Sequence, residues 1–223
     1  MPYARFAIYY LPPLGPMADF GAAWLGWDVN AGRRADFWDV NGLKGITMTP
    51  RKYGFHGTLK PPFRLAVDTN QKMLEAAVAR LALACAPARC EGLQVTALGR
   101  FLALTPVGDE TGIARVAASC VTDLDRYRAP AKEVELAKRR AKGLSDRQDA
   151  LLEQWGYPYV LDEFRFHMTL SGRMPKADLP NWMVLTKTCL PNLPTPFVMD
   201  EVALVGERED GFFELIHRYA LTG

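Results

Sequence analysis

The chain has 223 residues, 49% of them hydrophobic and 23% charged, an ordinary globular composition that excludes wholesale disorder. Its 27 Lys and Arg against 25 Asp and Glu leave a net charge of +2, too near neutrality for a protein built mainly to coat nucleic acid. No run approaches the roughly 20 apolar residues that span a bilayer, and Phe6–Leu11 is too short for the core of a signal peptide.

In chain order, residues 5–11 read as a strand stopped by Pro12-Pro13. Residues 17–27 place Met17, Phe20, Trp24 and Trp27 at helical spacing. Residues 30–52 give mixed signals. Residues 53–59 read as a strand ended by Pro61-Pro62, and residues 70–86 as an amphipathic helix with Met73, Leu74, Ala77, Val78 and Leu81 on one stripe. Strands follow at 94–98 and 101–107, split by Gly99-Arg100. A helix is expected over 109–128, capped by Asp109 or Thr111, and a more charged one over 131–155. The run Lys138-Arg139-Arg140-Ala141-Lys142 reads as a solvated helix face, with a phosphate-handling patch as the alternative. Residues 164–170 read as a strand, 175–190 as a helix, and 198–205 with 212–219 as a hairpin. Cys85, Cys90, Cys120 and Cys189 form no C-x-x-C pair. They read as free thiols in a cytoplasmic protein. No linker divides 1–223 into independent domains.

One internal repeat stands out. Tyr53-Gly54-Phe55-His56-Gly57-Thr58-Leu59 matches Phe164-Arg165-Phe166-His167-Met168-Thr169-Leu170, with the two histidines 111 residues apart. Each copy leads into a helical stretch and then a pair of strand-like runs, as a duplicated lobe would. Side chains alternate along a strand, so His56 and Thr58 share a face, as do His167 and Thr169. The opposite face carries Phe55, Gly57 and Leu59, or Phe166, Met168 and Leu170. Packing accounts for that apolar set but not for a repeated polar pair.

Two imidazoles and two hydroxyls facing each other suit phosphodiester chemistry. A neutral imidazole takes a proton from the attacking oxygen, and an imidazolium protonates the leaving one. The threonine hydroxyls donate to non-bridging phosphate oxygens. A metal is not required, and the chain has neither H-E-x-x-H nor a Cys/His cluster. It also lacks G-x-x-x-x-G-K-[ST], a convincing G-x-G-x-x-G and G-x-S-x-G. The third histidine, His217, has no repeat partner and reads as a strand-surface residue.

The paired H-x-T motifs resemble those of the two-histidine phosphoesterase superfamily. The flanks Phe6-Ala7-Ile8-Tyr9-Tyr10-Leu11-Pro12, Lys60-Pro61-Pro62-Phe63, Arg100-Phe101-Leu102-Ala103-Leu104 and Ser171-Gly172 resemble a bacterial branch found with phosphonate-utilisation genes. The resemblance implies an α+β, bilobal fold. In it, two antiparallel sheets with flanking helices are related by pseudo-two-fold symmetry around a central cleft. It implies His56, Thr58, His167 and Thr169 as catalytic residues, no cofactor, and metal-independent cyclic phosphodiesterase or phosphoesterase activity. The expected substrate is a small nucleotide or sugar phosphate, a phosphoribosyl one by association. The alternatives are a non-catalytic module that binds nucleotide or RNA ends, and processing of RNA 2′,3′-cyclic ends. Neither a membrane nor an obligate protein partner is expected. Lys60, Ser171, Arg173 and Arg51 are candidate phosphate contacts, and Tyr9 and Tyr53 candidate stacking residues. For each of these, an ordinary surface or core role is the competing reading.

Overall fold

The computed structural model describes residues 3–223. Strand β1 (Phe6–Tyr10) is buried along its whole length. Helix α1 (Pro16–Leu25) starts on a proline and stops at Gly26, whose φ of 72° makes a left-handed cap. The helix expected to reach Trp27 thus ends earlier, and Trp27 opens a small ladder of β2 (Trp27–Asp28) with β3 (Arg33–Arg34). The mixed stretch holds one helical turn, α2 (Leu43–Ile46). Strand β4 (Gly57–Phe63) carries the first motif, and α3 (Gln71–Ala84) follows, capped by the Asn70 side chain accepting from the Met73 N–H at 3.1 Å. Leu74, Ala77, Val78 and Leu81 are buried as expected, while Met73 is exposed at the edge of the stripe. Next come β5 (Ala88–Cys90) and the hairpin of β6 (Gly92–Leu98) with β7 (Phe101–Val107), turning at Gly99.

Helix α4 (Thr111–Thr122) is shorter than the span 109–128, which ends in a 3₁₀ turn at Asp125–Tyr127. The single helix expected over 131–155 is two, α5 (Glu133–Arg140) and α6 (Asp146–Trp155). Gly143 takes a φ of 75°, and Ser145 with Gln148 forms a capping box that starts α6. These stop and start signals override the continuous charge pattern. Of the strand expected over 164–170, only β8 (Met168–Thr169) pairs. The chain ends with α7 (Leu179–Cys189), β9 (Phe197–Met199), and the hairpin of β10 (Glu201–Glu207) with β11 (Phe213–Ala220).

The first motif's strand also departs from expectation. It starts at Gly57 rather than residue 53 and runs through Pro61-Pro62. Along β4 only β1 is a continuous partner, since β8 meets it at Gly57↔Met168 alone. The prolines therefore cost little hydrogen bonding on that open side, and the register against β1 shifts twice near them.

The main sheet is ordered β11-β10-β1-β4-β8-β7-β6, and its pairings are antiparallel. An approximate dyad passes between β4 and β8. On one side β1 is followed by α1, then β4, α3, β5 and β6. On the other, β7 is followed by α4, then β8, α7, β9 and β10. The last long strand of each unit crosses over, so β6 pairs with β7 and β10 pairs with β1. The short strands β5 and β9 pair with each other around Arg89↔Val198. The antiparallel strand sets of the two halves thus join through the one pair Gly57↔Met168, and β11 extends one edge.

The two faces of this sheet differ. Phe6, Ile8 and Tyr10 of β1 join Phe55, Leu59, Phe166, Met168 and Leu170 in the large core beneath α1, α3, α4 and α7. Ala7, Tyr9 and Leu11 point the other way, into a smaller cluster with Trp27, Val29, Ala203, Val205 and Phe213. A third cluster of Val121, Leu151 and Val160 roots α6. The polar residues of the motifs lie on the face away from the four helices.

Candidate active site

Each motif histidine is held by the same local bond. Nδ1 of His56 lies 2.9 Å from the Gly54 carbonyl, and Nδ1 of His167 lies 2.9 Å from the Arg165 carbonyl. A carbonyl only accepts, so both rings carry hydrogen on Nδ1 and present Nε2 outward. Gly54 reaches this geometry with φ 72° and ψ −179°, a region open almost only to glycine. A side chain there would also press on Val29.

Thr58 lies on the His56 side of its strand, with its hydroxyl 2.9 Å from His56 Nε2. With Nδ1 protonated, that hydroxyl donates to Nε2. Counting one residue out from Gly57↔Met168 sets His56 across from Thr169 and Thr58 across from His167.

The surroundings of the two imidazoles differ. Tyr9 stacks on His56 with ring centroids 3.8 Å apart, and Tyr53 stands 6.2 Å away. Loss of solvation lowers the His56 pKa to about 4, with the Gly54 carbonyl opposing and His167 adding to the fall. His56 is therefore neutral across the physiological range. Among the described residues the one aromatic ring paired with His167 is Phe101, at 5.9 Å and tilted. The counterpart of Tyr9 across the dyad is the small Ala103, which pairs with Thr169 as Tyr9 pairs with Thr58.

His56, Thr58, Thr169, Tyr9 and Tyr53 line a cavity of about 540 Å³, within the usual range for small-ligand sites. The His167 ring is not among the side chains lining it. Other predicted contacts lie elsewhere. Lys60 is buried, its ammonium bonding the Val121 carbonyl at 2.9 Å and lying 3.6 Å from Asp125. The Ser171 hydroxyl donates to the Gly172 carbonyl and accepts the Leu102 N–H. Arg51 bonds the Leu25 and Lys44 carbonyls across the Phe37 ring. Arg173 is exposed away from the cavity, and so is His217, edge-on to Tyr219. The Lys60 and Ser171 readings assumed unbroken alternation. The bulged register turns Lys60 toward α4, and Ser171 lies past the end of β8. Among the described residues no three His, Cys, Asp or Glu side chains gather as a metal site, and no helix is long and apolar enough to cross a membrane.

Burial lowers the Lys60 pKa to about 8, with Asp125 opposing. Below that pH the cost of burying the ammonium is fully present. Between about 8 and the unfolded value the unfolded chain holds a proton that the folded one has lost, so stability rises with pH. Urea titrations at pH 7.5 and 10.5 should show a relative gain of about 3 kcal/mol for the wild type over Lys60→Met. Parallel behaviour of the two proteins would contradict the depressed pKa.

The helical hairpin 131–156 adds residues to the cavity that the H-x-T motifs do not point to. The cavity is also lined by Arg64, Arg128, Glu135, Lys138, Arg139 and Lys142. On a helix Glu135, Lys138, Arg139 and Lys142 fall at i, i+3, i+4 and i+7, so they share a face. That spacing was the available clue.

Residues 58–214 match the family described as "Protein of unknown function (DUF1045)". The chain is 39% identical over 180 residues to the ribose 1,5-bisphosphate phosphokinase PhnN of Janthinobacterium sp. (strain Marseille). It is 33% identical over 192 residues to the protein of the same name from Laribacter hongkongensis (strain HLHK9). The matches take in 78% and 80% of this chain but 40% and 42% of those proteins, so the chain spans less than half the length of these curated relatives. The crystal structure of E. coli LigT complexed with 3′-AMP aligns over 99% of both chains, with a TM-score of 0.42 and 15% identity. With its matched region covering most of the chain, this protein belongs to the DUF1045 family.

Proposed function

We propose that the protein is a metal-independent phosphoesterase of the two-histidine type, opening a cyclic phosphodiester on a small nucleotide or sugar phosphate. The observation that carries this reading is the repeated geometry. Both histidines donate Nδ1–H to the carbonyl two residues back and present Nε2 outward, and the register of the Gly57↔Met168 pair, continued one residue each way, puts each opposite a threonine. Residues 3–223 act as one unit in this scheme, each half supplying one histidine and one threonine.

The asymmetry of the two rings assigns their roles. His56, held neutral beneath Tyr9, takes a proton from water as the water oxygen attacks phosphorus. His167, as imidazolium, gives its Nε2 proton to the ring oxygen as its bond to phosphorus breaks. The products are a phosphomonoester and a free hydroxyl. His56 then releases its proton to solvent, and His167 takes one back from it. Thr58 and Thr169 donate to the non-bridging oxygens as charge builds on them. Thr58 must leave His56 Nε2 to do so, which frees that lone pair for the water.

The curated relatives are named for a kinase acting on ribose 1,5-bisphosphate, but this chain lacks a phosphate-binding G-x-x-x-x-G-K-[ST] loop. We therefore assign it a different reaction on a phosphorylated pentose, in keeping with a role in phosphonate utilisation. Purified protein in excess EDTA, offered 2′,3′-cyclic nucleotides and ribosyl cyclic phosphates, should turn over at least one of them with no loss relative to metal-supplemented buffer. Activity abolished by chelation would overturn the mechanism. Saturable binding of these compounds without product would favour a binding module.

A further inference from the structure

We propose that the basic end of α5, with the turn that follows it, is a second phosphate subsite, so that the substrate carries a terminal phosphomonoester in addition to the phosphodiester at the H-x-T motifs. This rests on the phosphoesterase reading and narrows its substrate class to doubly phosphorylated small molecules.

The argument starts from how the cations are paired. Arg140, on the far side of α5, bonds Asp149 at 2.6 Å, and Arg147 pairs with Asp162. Those charges belong to an ordinary solvated surface. Facing the cavity, Arg64 is tied to Glu135 at 2.7 Å and Arg128 to Asp125 at 2.7 Å. Lys138, Arg139 and Lys142 also line the cavity, and among the described residues they form no ion pair with a carboxylate.

Two like charges on one face of α5 and a third in the turn that ends it repel one another, and a solvated surface would disperse or pair them. Here the start of α5 and the Arg139 side chain are also held in place. Glu135 accepts from the Lys132 N–H at 3.0 Å while holding Arg64, which pins the start of α5 to the end of β4. Arg139 lies over the Tyr157 ring, 4.5 Å from its centroid, and Tyr157 itself lines the cavity. A guanidinium stacked on an aromatic is pre-oriented, so less entropy is lost when it binds an oxyanion.

The cavity therefore has two chemically distinct ends. One has two hydroxyls and an imidazole, suited to the low charge of a phosphodiester. The other has three cations without anionic partners, suited to the higher charge of a phosphomonoester. A single ring-sized scaffold between them fits a volume of about 540 Å³.

The test is calorimetric binding of adenosine 3′,5′-bisphosphate and adenosine 3′-monophosphate, alongside turnover of adenosine 2′,3′-cyclic phosphate with and without a 5′-phosphate. The wild type should bind the bisphosphate roughly 10- to 100-fold more tightly and prefer the 5′-phosphorylated substrate by a similar factor in kcat/KM. The Lys138→Gln/Arg139→Gln/Lys142→Gln variant should erase both preferences and leave turnover of the cyclic phosphate that lacks a 5′-phosphate within about twofold. A bisphosphate preference that survives in this variant overturns the subsite. Turnover indifferent to the 5′-phosphate overturns it too, while leaving the phosphoesterase reading standing. A bisphosphate preference lost in the variant, with no turnover of any compound, upholds the subsite and sinks the phosphoesterase reading instead. Affinity that keeps climbing as nucleotides are added to an oligonucleotide ending in a cyclic phosphate overturns the small-molecule assignment in favour of RNA.

Discussion

His56→Ala and His167→Ala each lower kcat/KM on the cyclic phosphodiester substrate by about 100- to 10,000-fold, the range of one lost general acid or base. The double variant falls only slightly further, because the two groups act in one concerted proton relay and their effects do not add. Neither substitution should unfold the chain, since both rings hydrogen-bond only local groups and the large core lies on the other face of the sheet, with Tyr9 of the smaller cluster stacked on His56. The pH profile separates the two roles. If His56 is the base, kcat/KM falls as the pH drops through about 4, where that ring gains a proton. In His56→Ala that acid limb disappears from the residual activity, while in His167→Ala it persists. Loss of the limb from His167→Ala instead would reverse the assignment. Equal, wild-type activity of both variants would remove the site from catalysis altogether.

Much of this site was readable because a strand repeats every two residues and the chain repeats itself. Two copies of aromatic-x-Phe-His-x-Thr-Leu placed four polar groups on one face, and Phe55, Leu59, Phe166, Met168 and Leu170 do enter the opposite core. What the local pattern did not contain was long-range pairing. Residues 164–167 have strand-like composition, yet no neighbouring strand pairs with them, so β8 is two residues long. Pro61-Pro62 looked like a stop, yet one side of β4 is open and tolerates them. The environment of His56 was also out of reach. Tyr9 lies 47 positions earlier and meets the ring only because β1 inserts beside β4. The same holds for the basic run at 138–142. Its spacing is visible in the sequence, but only the fold turns Lys138, Arg139 and Lys142 onto the cavity that His56 lines.

The seam between the halves supplies the other large effect. Gly57 sits opposite Met168 in the one pair that joins β4 to β8, and a Cβ at residue 57 would overlap the ring of Phe166. Phe166 is 2% exposed. It meets Tyr10 edge-on at 6.0 Å and Phe197 at 5.8 Å, so it has no room to retreat. Gly57→Ala should therefore cost about 1–3 kcal/mol in urea denaturation by overpacking. Phe166→Ala should cost about 3–5 kcal/mol by leaving a cavity. The diagnostic variant is Gly57→Ala combined with Phe166→Leu, in which the smaller side chain makes space for the added methyl. It should be more stable than the sum of its single changes by at least about 1 kcal/mol, the coupling expected of residues in direct contact. Additive losses would mean that the ring and the glycine do not meet. Because the seam also sets how far His56 stands from His167, Gly57→Ala should depress turnover even at temperatures where it remains folded. The Phe166→Leu partner should restore that turnover together with the stability.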